Sequence, residues 1–260
     1  LVFALSVVTG APLSDFSRYT VSAKSPLTGG FAETEAGGYF GPELKFSGFD
    51  AVVINGKAPN PVYLWINEGR VEIRDASAVW GLDNGDTLDI IREEVEEPKA
   101  RVASIGPAGE NMVLVANVMN EMKHANGRTG MGAVMGSKNL KAIACRGESE
   151  NISFADPDKV KELVSWHSKQ IKAHQPNINF SKFGTPMFVV ALNNGGILPT
   201  RNFKEGTFEG AEKIGIPGLE KILKRSGTCY RCAVGCKRVV EMETPYKINP
   251  RFGGPEYETL

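Results

Sequence analysis

Three cysteines within eight residues constrain this chain more than any other feature of its sequence. Cys229, Cys232 and Cys236 follow the spacing C-x2-C-x3-C, and Gly235 precedes the third. Two or three intervening residues allow the sulfurs to turn toward one metal centre, and glycine gives the backbone the freedom that the turn requires. Because a four-thiolate cluster needs one more ligand, the pattern predicts a metal centre that is completed by a distant residue.

The spacing separates several kinds of metal centre. A structural zinc site usually has a second Cys or His pair nearby, but His124, His167 and His174 lie far upstream. A radical-SAM cluster has the opposite order of spacings, three residues and then two. A [4Fe–4S] cluster with one remote cysteine agrees with the pattern. Three buried cysteines without function are the alternative, which is uncommon in a chain with one further cysteine, Cys145. A non-catalytic module that binds zinc or iron–sulfur stays open at this point.

Two glycine-rich segments carry isolated cations. Residues 127–139 read GRTGMGAVMGSKN, which is neither a P-loop nor a dinucleotide-binding fingerprint. Glycines expose backbone N–H groups, and Arg128 and Lys138 flank them, so the segment favours a phosphate or pterin. A glycine-rich packing loop is the alternative. Residues 18–30 repeat this composition with Arg18, and two such segments make one shared anion site more plausible.

The distribution of predicted elements indicates two domains in an α+β chain. We predict a β-rich domain over residues 1–152 and a mostly helical domain over 153–260. The apolar patterns predict a buried strand within 1–8, strands at 50–54, 101–105, 113–118 and 141–145, and a hairpin of 61–66 with 71–74. The start of a helix is the alternative for 113–118. They also predict helices at 86–97 with Asp86 as its cap, from Pro157, from Thr185, and at 217–225.

Charge and hydropathy exclude some classes of partner. The formal net charge is zero, which argues against a nucleic-acid partner, and the longest apolar runs are too short to predict a membrane span. Only four cysteines are present, so a reducing cytoplasm is the expected location. The chain begins with Leu1 and ends with Leu260, and we expect it to be an interior part of a longer protein.

Taken together, these segments resemble the tungsten-containing aldehyde ferredoxin oxidoreductase family. The match runs in one order along nearly the whole chain. It is carried by SPLTG at 25–29, AGGYFGPELKF at 36–46, SIGPAGEN at 104–111, GRTGMGAVMGSKNLKAI at 127–143, the three cysteines, and GPEYE at 254–258.

The resemblance implies a fold and a set of cofactors. The family's β-rich first domain forms the base for a tungsten or molybdenum bis-pterin, which helical domains cover. A [4Fe–4S] cluster beside one pterin passes electrons to ferredoxin. Cys229, Cys232 and Cys236 match three cluster ligands, and the fourth is expected beyond residue 260. Glu258 matches a carboxylate near the metal that exchanges protons with substrate. The expected pterin contacts are Arg18, Gly37, His124, Ala125, Gly127 and Arg128.

The resemblance also implies an activity. We expect an aldehyde to be oxidised to a carboxylic acid with ferredoxin as electron acceptor, and reduction of an aromatic-ring thioester is the alternative. A homodimer is compatible with the resemblance. The chain departs from the family where Glu35 replaces a common Asn, where His124 replaces a common Arg, and at 6–10. A carboxylate at 35 would repel a pterin phosphate, and histidine at 124 neutralises phosphate less well near neutral pH.

Overall fold

The computed structural model describes residues 1–148 and 152–256. The chain divides into two compact units. The first consists of Leu1–Glu162 with Cys229–Arg231, and the second of Leu163–Thr228 with Cys232–Leu260. The domain boundary near residue 152 stays a prediction.

The first unit contains a four-stranded antiparallel sheet. Its strands follow the order β3-β2-β1-β4. Their bounds are β1 Val2–Leu5, β2 Tyr19–Lys24, β3 Phe31–Ala36 and β4 Ala51–Val53.

The same unit contains a six-stranded mixed sheet in the order β6-β5-β10-β7-β8-β9. Strands β5 and β10 run parallel, and the other neighbours run antiparallel. The strand of this sheet that comes last in the sequence, β10, lies between β5 and β7, and its residues from Leu140 to Cys145 are all buried. The bounds are β5 Val62–Asn67, β6 Arg70–Asp75, β7 Arg101–Ser104, β8 Val118–Asn120, β9 His124–Asn126 and β10 Leu140–Arg146.

The two faces of the six-stranded sheet bury separate apolar cores. Because side chains alternate along a strand, Ile143 and Cys145 enter a core with Phe3, whereas Ala142 and Ala144 enter the other. Four helices of this unit have the bounds α1 Phe40–Phe46, α2 Asn84–Glu94, α3 Pro107–Glu110 and α4 Met131–Ser137.

The remaining elements are mostly short helices. The division between the units falls within α5 (Pro157–Ala173), and the second unit has a small core of Val189, Leu198 and Ala211. The other bounds are α6 Gln175–Phe183, α7 Val189–Asn194, α8 Ala211–Ile214, α9 Ile216–Leu219, β11 Leu223–Gly227 and β12 Lys237–Val240, with 3₁₀ turns at Thr185–Phe188 and Pro250–Phe252.

The predicted α+β class is confirmed, and several elements are corrected. Strand β1 ends at Leu5, and Val7 and Val8 are exposed. The cap of α2 is Asp83, whose carboxylate accepts from the backbone N–H groups of Gly85 and Asp86. The strand at 113–118 is wrong, because the residues before 116 form an exposed turn after α3 and pairing begins only at Val118. The helix at 217–225 is confirmed only over 217–219, which lie in α9; from Leu223 onward it is wrong, because β11 pairs with β12 and this pairing overrides the helical spacing.

No helix in the two described ranges is long and apolar enough to cross a membrane.

The contact between α3 and α4 yields a test of the fold. A Cβ on Gly136 would overlap the backbone carbonyl of Gly109, so no side chain fits between these helices. We expect Gly136→Ala to lower the free energy of unfolding by about 1–3 kcal/mol despite alanine's higher helix propensity. Urea denaturation measures this. Ser137→Ala, at the exposed neighbouring position, is the control, and equal stability of the two variants would contradict the close packing.

Candidate cofactor site

The turn at Gly37 and Gly38 brings three segments of the first unit together. It joins β3 to α1, and Gly38 has a φ of +101°, which favours glycine. A Cβ on Gly38 would lie 2.5 Å from Asn120 Oδ1 and 2.8 Å from His124 Cδ2. A Cβ on Gly37 would lie 3.0 Å from Cys229 Sγ. Because glycine has no side chain, β9 and Cys229 can approach the backbone of Gly37 and Gly38 closely.

Hydrogen bonds join the glycine-rich segments that the sequence singled out. Asn126 Nδ2 donates to the carbonyl oxygen of Thr34 over 3.0 Å, and the backbone N–H of Arg128 donates to Thr34 Oγ1 over 3.5 Å. Ser25 Oγ donates to the carbonyl oxygen of Thr129 over 2.9 Å. The structure thus brings residues 18–38 and 124–130 together.

The predicted pterin residues differ in exposure. Arg18, Gly127 and Arg128 are exposed, and Gly37 and Ala125 are half-buried. The nearest atom to a Cβ on Gly127 is Ala125 Cβ at 3.7 Å, so this backbone has open space in front of it. Two exposed guanidinium groups and an open glycine form a donor set that suits a phosphate-bearing group.

Glu35 lies beside one of these cations. Its Oε2 is 3.7 Å from Arg18 Nη1, and both side chains are largely exposed. The carboxylate therefore competes with any anion for Arg18, although solvent screens so exposed a pair. The replacement of the family's common Asn by Glu35 therefore affects the side chain of Arg18.

His124 lies in a different environment from Arg128. Alternation along β9 buries His124 and Asn126 and leaves Ala125 facing the other way. The imidazole Nδ1 is 4.0 Å from Cys229 Sγ. Its predicted contact with the pterin stays a prediction, but its neighbour in the structure is a cysteine.

The three cysteines are half-buried. Cys229 belongs to the first unit, where the backbone N–H of Tyr230 donates to the carbonyl oxygen of Gly38 over 3.0 Å. Cys232 and Cys236 belong to the second unit. Within the described residues, no group of three or more His, Cys, Asp or Glu side chains is arranged to hold a metal ion. Convergence of the cysteines on one cluster stays a prediction.

In the second unit, the buried Arg238 fixes the loop around Cys236. Its Nη2 donates to the carbonyl oxygen of Gly235 over 2.7 Å, and its Nε donates to that of Cys236 over 3.3 Å. The same guanidinium reaches Ser226 Oγ over 3.2 Å and the carbonyl oxygen of Lys182. Burial lowers the pKa of Arg238. Several donors on one rigid side chain therefore hold the backbone on both sides of the loop.

The predicted acid–base residue, Glu258, lies outside the described residues. Two residues earlier, Glu256 is described. Its carboxylate accepts hydrogen bonds from Lys237 Nζ, over 3.0 Å, and from Thr185 Oγ1.

Sequence reasoning missed a buried charge cluster beside the glycine turn. Glu121 Oε2 accepts a hydrogen bond from the backbone N–H of Tyr39 over 3.2 Å, and Glu121 Oε1 lies 3.6 Å from Arg101 Nε. Neither Glu121 Oε1 nor Arg101 Nε has a hydrogen-bond partner among the described residues. The Arg101 guanidinium stacks 4.5 Å from the centre of the Tyr39 ring. Arg101 and Tyr39 line a cleft of about 500 Å³. The other lining residues are Glu43, Phe46, Arg146, Gly147, Glu148 and Tyr230.

The local sequence gave no signal for this cluster. Glu121 and Met122 form the tight turn between β8 and β9 with φ values of 54° and 66°, which residues of these types seldom adopt. Burial raises the pKa of Glu121 to about 7, although Arg101 and the Tyr39 N–H act in the opposite direction. The cluster therefore contains a carboxyl group that titrates near neutral pH.

This pKa predicts the pH dependence of stability. The ordinary value is 4.5, so between pH 4.5 and 7 the unfolded chain releases the Glu121 proton while the folded chain keeps it. Stability contributed by the neutral carboxyl is present at low pH and is lost as pH rises toward 7. Because Gln cannot ionise, we expect the stability of Glu121→Gln relative to wild type to rise by about 3 kcal/mol from pH 4.5 to 8.

Urea denaturation across this pH range measures the difference. Glu33→Gln, which replaces an exposed carboxylate on β3, is the control. A difference between Glu121→Gln and wild type that stays constant with pH would show that Glu121 titrates alike in both states.

Comparisons with known proteins show the family to which the chain belongs. Residues 1–147 match the family model for the aldehyde ferredoxin oxidoreductase N-terminal domain, and residues 162–260 match the model for its domains 2 and 3. The chain is 46% identical over 264 residues to a tungsten-containing aldehyde ferredoxin oxidoreductase of Pyrococcus abyssi. It is 32% identical over 273 residues to the WOR-like subunit of an aliphatic sulfonate oxidoreductase of Pyrococcus furiosus.

The chain spans less than half the length of each of these relatives. All of the chain aligns with the Pyrococcus abyssi protein but covers 42% of it, and 98% of the chain covers 43% of the sulfonate oxidoreductase subunit. Among solved structures, the BamBC active-site complex of benzoyl-coenzyme A reductase matches 94% of this chain and 39% of its own, with a TM-score of 0.73 and 32% identity. The chain belongs to the aldehyde ferredoxin oxidoreductase family.

Proposed function

We propose that this chain is the cofactor-binding part of a tungsten-dependent oxidoreductase that converts aldehydes into carboxylic acids. The observation that carries the proposal is the identity of 46% to a tungsten-containing aldehyde ferredoxin oxidoreductase over the whole chain. Aldehyde and water would give the acid, two protons and two electrons, and ferredoxin would receive the electrons.

The family implies a tungsten bis-pterin and a [4Fe–4S] cluster. The residues of the first unit fit the pterin group, since Arg18 and Arg128 are exposed cations and Gly127 leaves its backbone accessible. They would hold its phosphates, with Gly37 and Ala125 on the half-buried side. Molybdenum in place of tungsten is a variant of the same proposal.

Cys229, Cys232 and Cys236, with their C-x2-C-x3-C spacing, would supply three thiolate ligands of the cluster. When bound, the tungsten pterin supplies two-electron chemistry, and the cluster carries the electrons away singly. Arg238 would hold the carbonyl groups of Gly235 and Cys236 in place, so that the loop keeps its shape when the metal is absent. Glu258 would exchange the proton with substrate, a role that rests on family resemblance.

Reduction of an aromatic-ring thioester is the second candidate. The observation in its favour is the structural match to the benzoyl-coenzyme A reductase complex at 32% identity. The greater identity to the aldehyde enzymes makes aldehyde oxidation the better-supported reaction.

Assays of the metal-loaded, full-length protein distinguish these reactions. We expect reduction of ferredoxin or a low-potential dye with aldehydes, and no oxidation of a reduced dye with benzoyl-coenzyme A. Turnover of the thioester alone would support the second candidate. Turnover of neither substrate at full tungsten occupancy would contradict both.

The open space at Gly127 predicts a variant with a selective loss of cofactor. Gly127→Ala is compatible with the backbone, because its Cβ would meet no atom closer than 3.7 Å. We expect unchanged unfolding free energy but loss of most bound tungsten, because the methyl group would occupy space that the pterin needs. Metal analysis of the full-length protein measures tungsten per chain.

Gly195→Ala is the matched control, since its Cβ would meet nothing closer than 3.5 Å and it lies at the end of α7 in the second unit. Normal tungsten content in Gly127→Ala would remove Gly127 from the proposed pterin site.

A further inference from the structure

We propose that the cleft lined by Arg101 and Tyr39 binds an aromatic carboxylate, whose oxygens accept hydrogen bonds from the guanidinium of Arg101. All of the lining residues belong to the first unit, which includes Tyr230. The inference goes beyond the proposed function, because neither the metal nor the cluster takes part in this binding.

The first step of the argument concerns the donors of Arg101. Its carboxylate neighbours lie beyond hydrogen-bonding distance of Arg101 Nε, with Glu121 Oε1 at 3.6 Å and Glu43 Oε2 at 4.0 Å. Within residues 1–148 and 152–256, the Arg101 side chain makes no hydrogen bond. A guanidinium has five N–H groups, and this side chain is only 29% exposed. An acceptor that enters the cleft would therefore satisfy donors that solvent reaches poorly.

The second step is that the other arginine of the cleft already has partners. Arg146 Nη1 donates to Glu43 Oε1 over 2.7 Å, and the backbone N–H of Gly147 donates to the same oxygen over 3.0 Å. The charge of Glu43 is thus neutralised mainly by Arg146. Arg101 is the cation of the described lining whose donors are available to a ligand.

The third step concerns the walls of the cleft. The Arg101 guanidinium lies 4.5 Å from the centre of the Tyr39 ring, and this stacking fixes its plane. The Tyr230 ring meets the Phe46 ring edge to face at 5.6 Å and the Tyr39 ring at 6.3 Å. Aromatic rings beside an oriented guanidinium favour a ligand with a flat apolar body and a carboxylate, which can accept two parallel hydrogen bonds. A volume of about 500 Å³ is in the range of small-molecule sites.

Glu121 determines how strongly such a ligand is held. This carboxyl lies on the buried side of Arg101, and burial raises its pKa to about 7. Ionised Glu121 competes with the ligand for the charge of Arg101, whereas protonated Glu121 does not. The other ionisable groups that face Glu121 are Arg92 on α2, Glu43 on α1, Tyr19 on β2 and Cys145 on β10. Burial raises the pKa of both Tyr19 and Cys145, which keeps them neutral. Binding should therefore weaken as pH rises through 7.

The test is isothermal titration calorimetry of the full-length protein with 2-naphthoate. We expect saturable binding at pH 6 and roughly tenfold weaker binding at pH 8, where Glu121 is ionised. The neutral 2-naphthamide has nearly the same shape and should bind about tenfold more weakly than 2-naphthoate at pH 6. Absence of saturable binding by the wild type at pH 6, or equal affinity for the amide and the carboxylate, overturns the proposal.

A variant at Arg101 locates the ligand in the cleft. We expect Arg101→Gln to bind 2-naphthoate about tenfold more weakly than the wild type at pH 6, because the charged donors are lost. Arg70→Gln, at an exposed arginine of β6 that does not line this cleft, is the control and should bind as the wild type does. Wild-type affinity in Arg101→Gln overturns the proposal.

Two further variants do not depend on how well Arg101→Gln folds, and both should bind more tightly. Glu148 is an exposed carboxylate of the lining, so Glu148→Gln removes a repulsive charge and should strengthen binding about twofold at pH 6. Glu121→Gln should bind at pH 8 as tightly as the wild type binds at pH 6. Weaker binding by both variants, or a pH dependence that persists in Glu121→Gln, overturns the proposal.

Discussion

The lack of side chains at Gly37 and Gly38 is the constraint on which the arrangement of the candidate site depends. This turn ends β3 and leads into α1, and its bare backbone is approached by Asn120, His124 and Cys229. The approach is close because each partner is fixed elsewhere, Asn120 by a hydrogen bond to the Tyr19 hydroxyl and Cys229 through its neighbour Tyr230. Residues from distant parts of the sequence therefore converge on this turn.

Much of the first unit could be predicted from the sequence, because its signals are local. The β5–β6 hairpin follows from alternating apolar residues around Gly69, and β10 follows from a short apolar run. The same logic failed at residues 113–115, which are apolar but exposed, since hydrophobicity alone does not determine whether other chain segments cover a residue. It also failed at β11, where pairing with β12 outweighs helical spacing.

The candidate site was predictable in its residue types but only partly in its geometry. Glycines and arginines at 18–38 and 124–130 indicated an anion site, and the structure joins these segments through Thr34. The inward orientation of His124 depends on the phase of β9, which three residues cannot specify. The Glu121–Arg101 pair depends on a turn with two positive φ values and on contacts between strands. No sequence motif therefore predicts it.

The position of β10 has a consequence for the synthesis of the protein. This strand is the last of its sheet to leave the ribosome, yet it fills the gap between β5 and β7. At ~5–20 residues per second, the ~70 residues that separate β5 from β10 take on the order of 4–15 s to translate. During that interval the backbone edge of β5, and that of β7 once it has been translated, has no native partner, and such edges pair readily with other chains. The nascent chain therefore presents edges open to unwanted pairing that the finished sheet, with β10 in place, no longer presents.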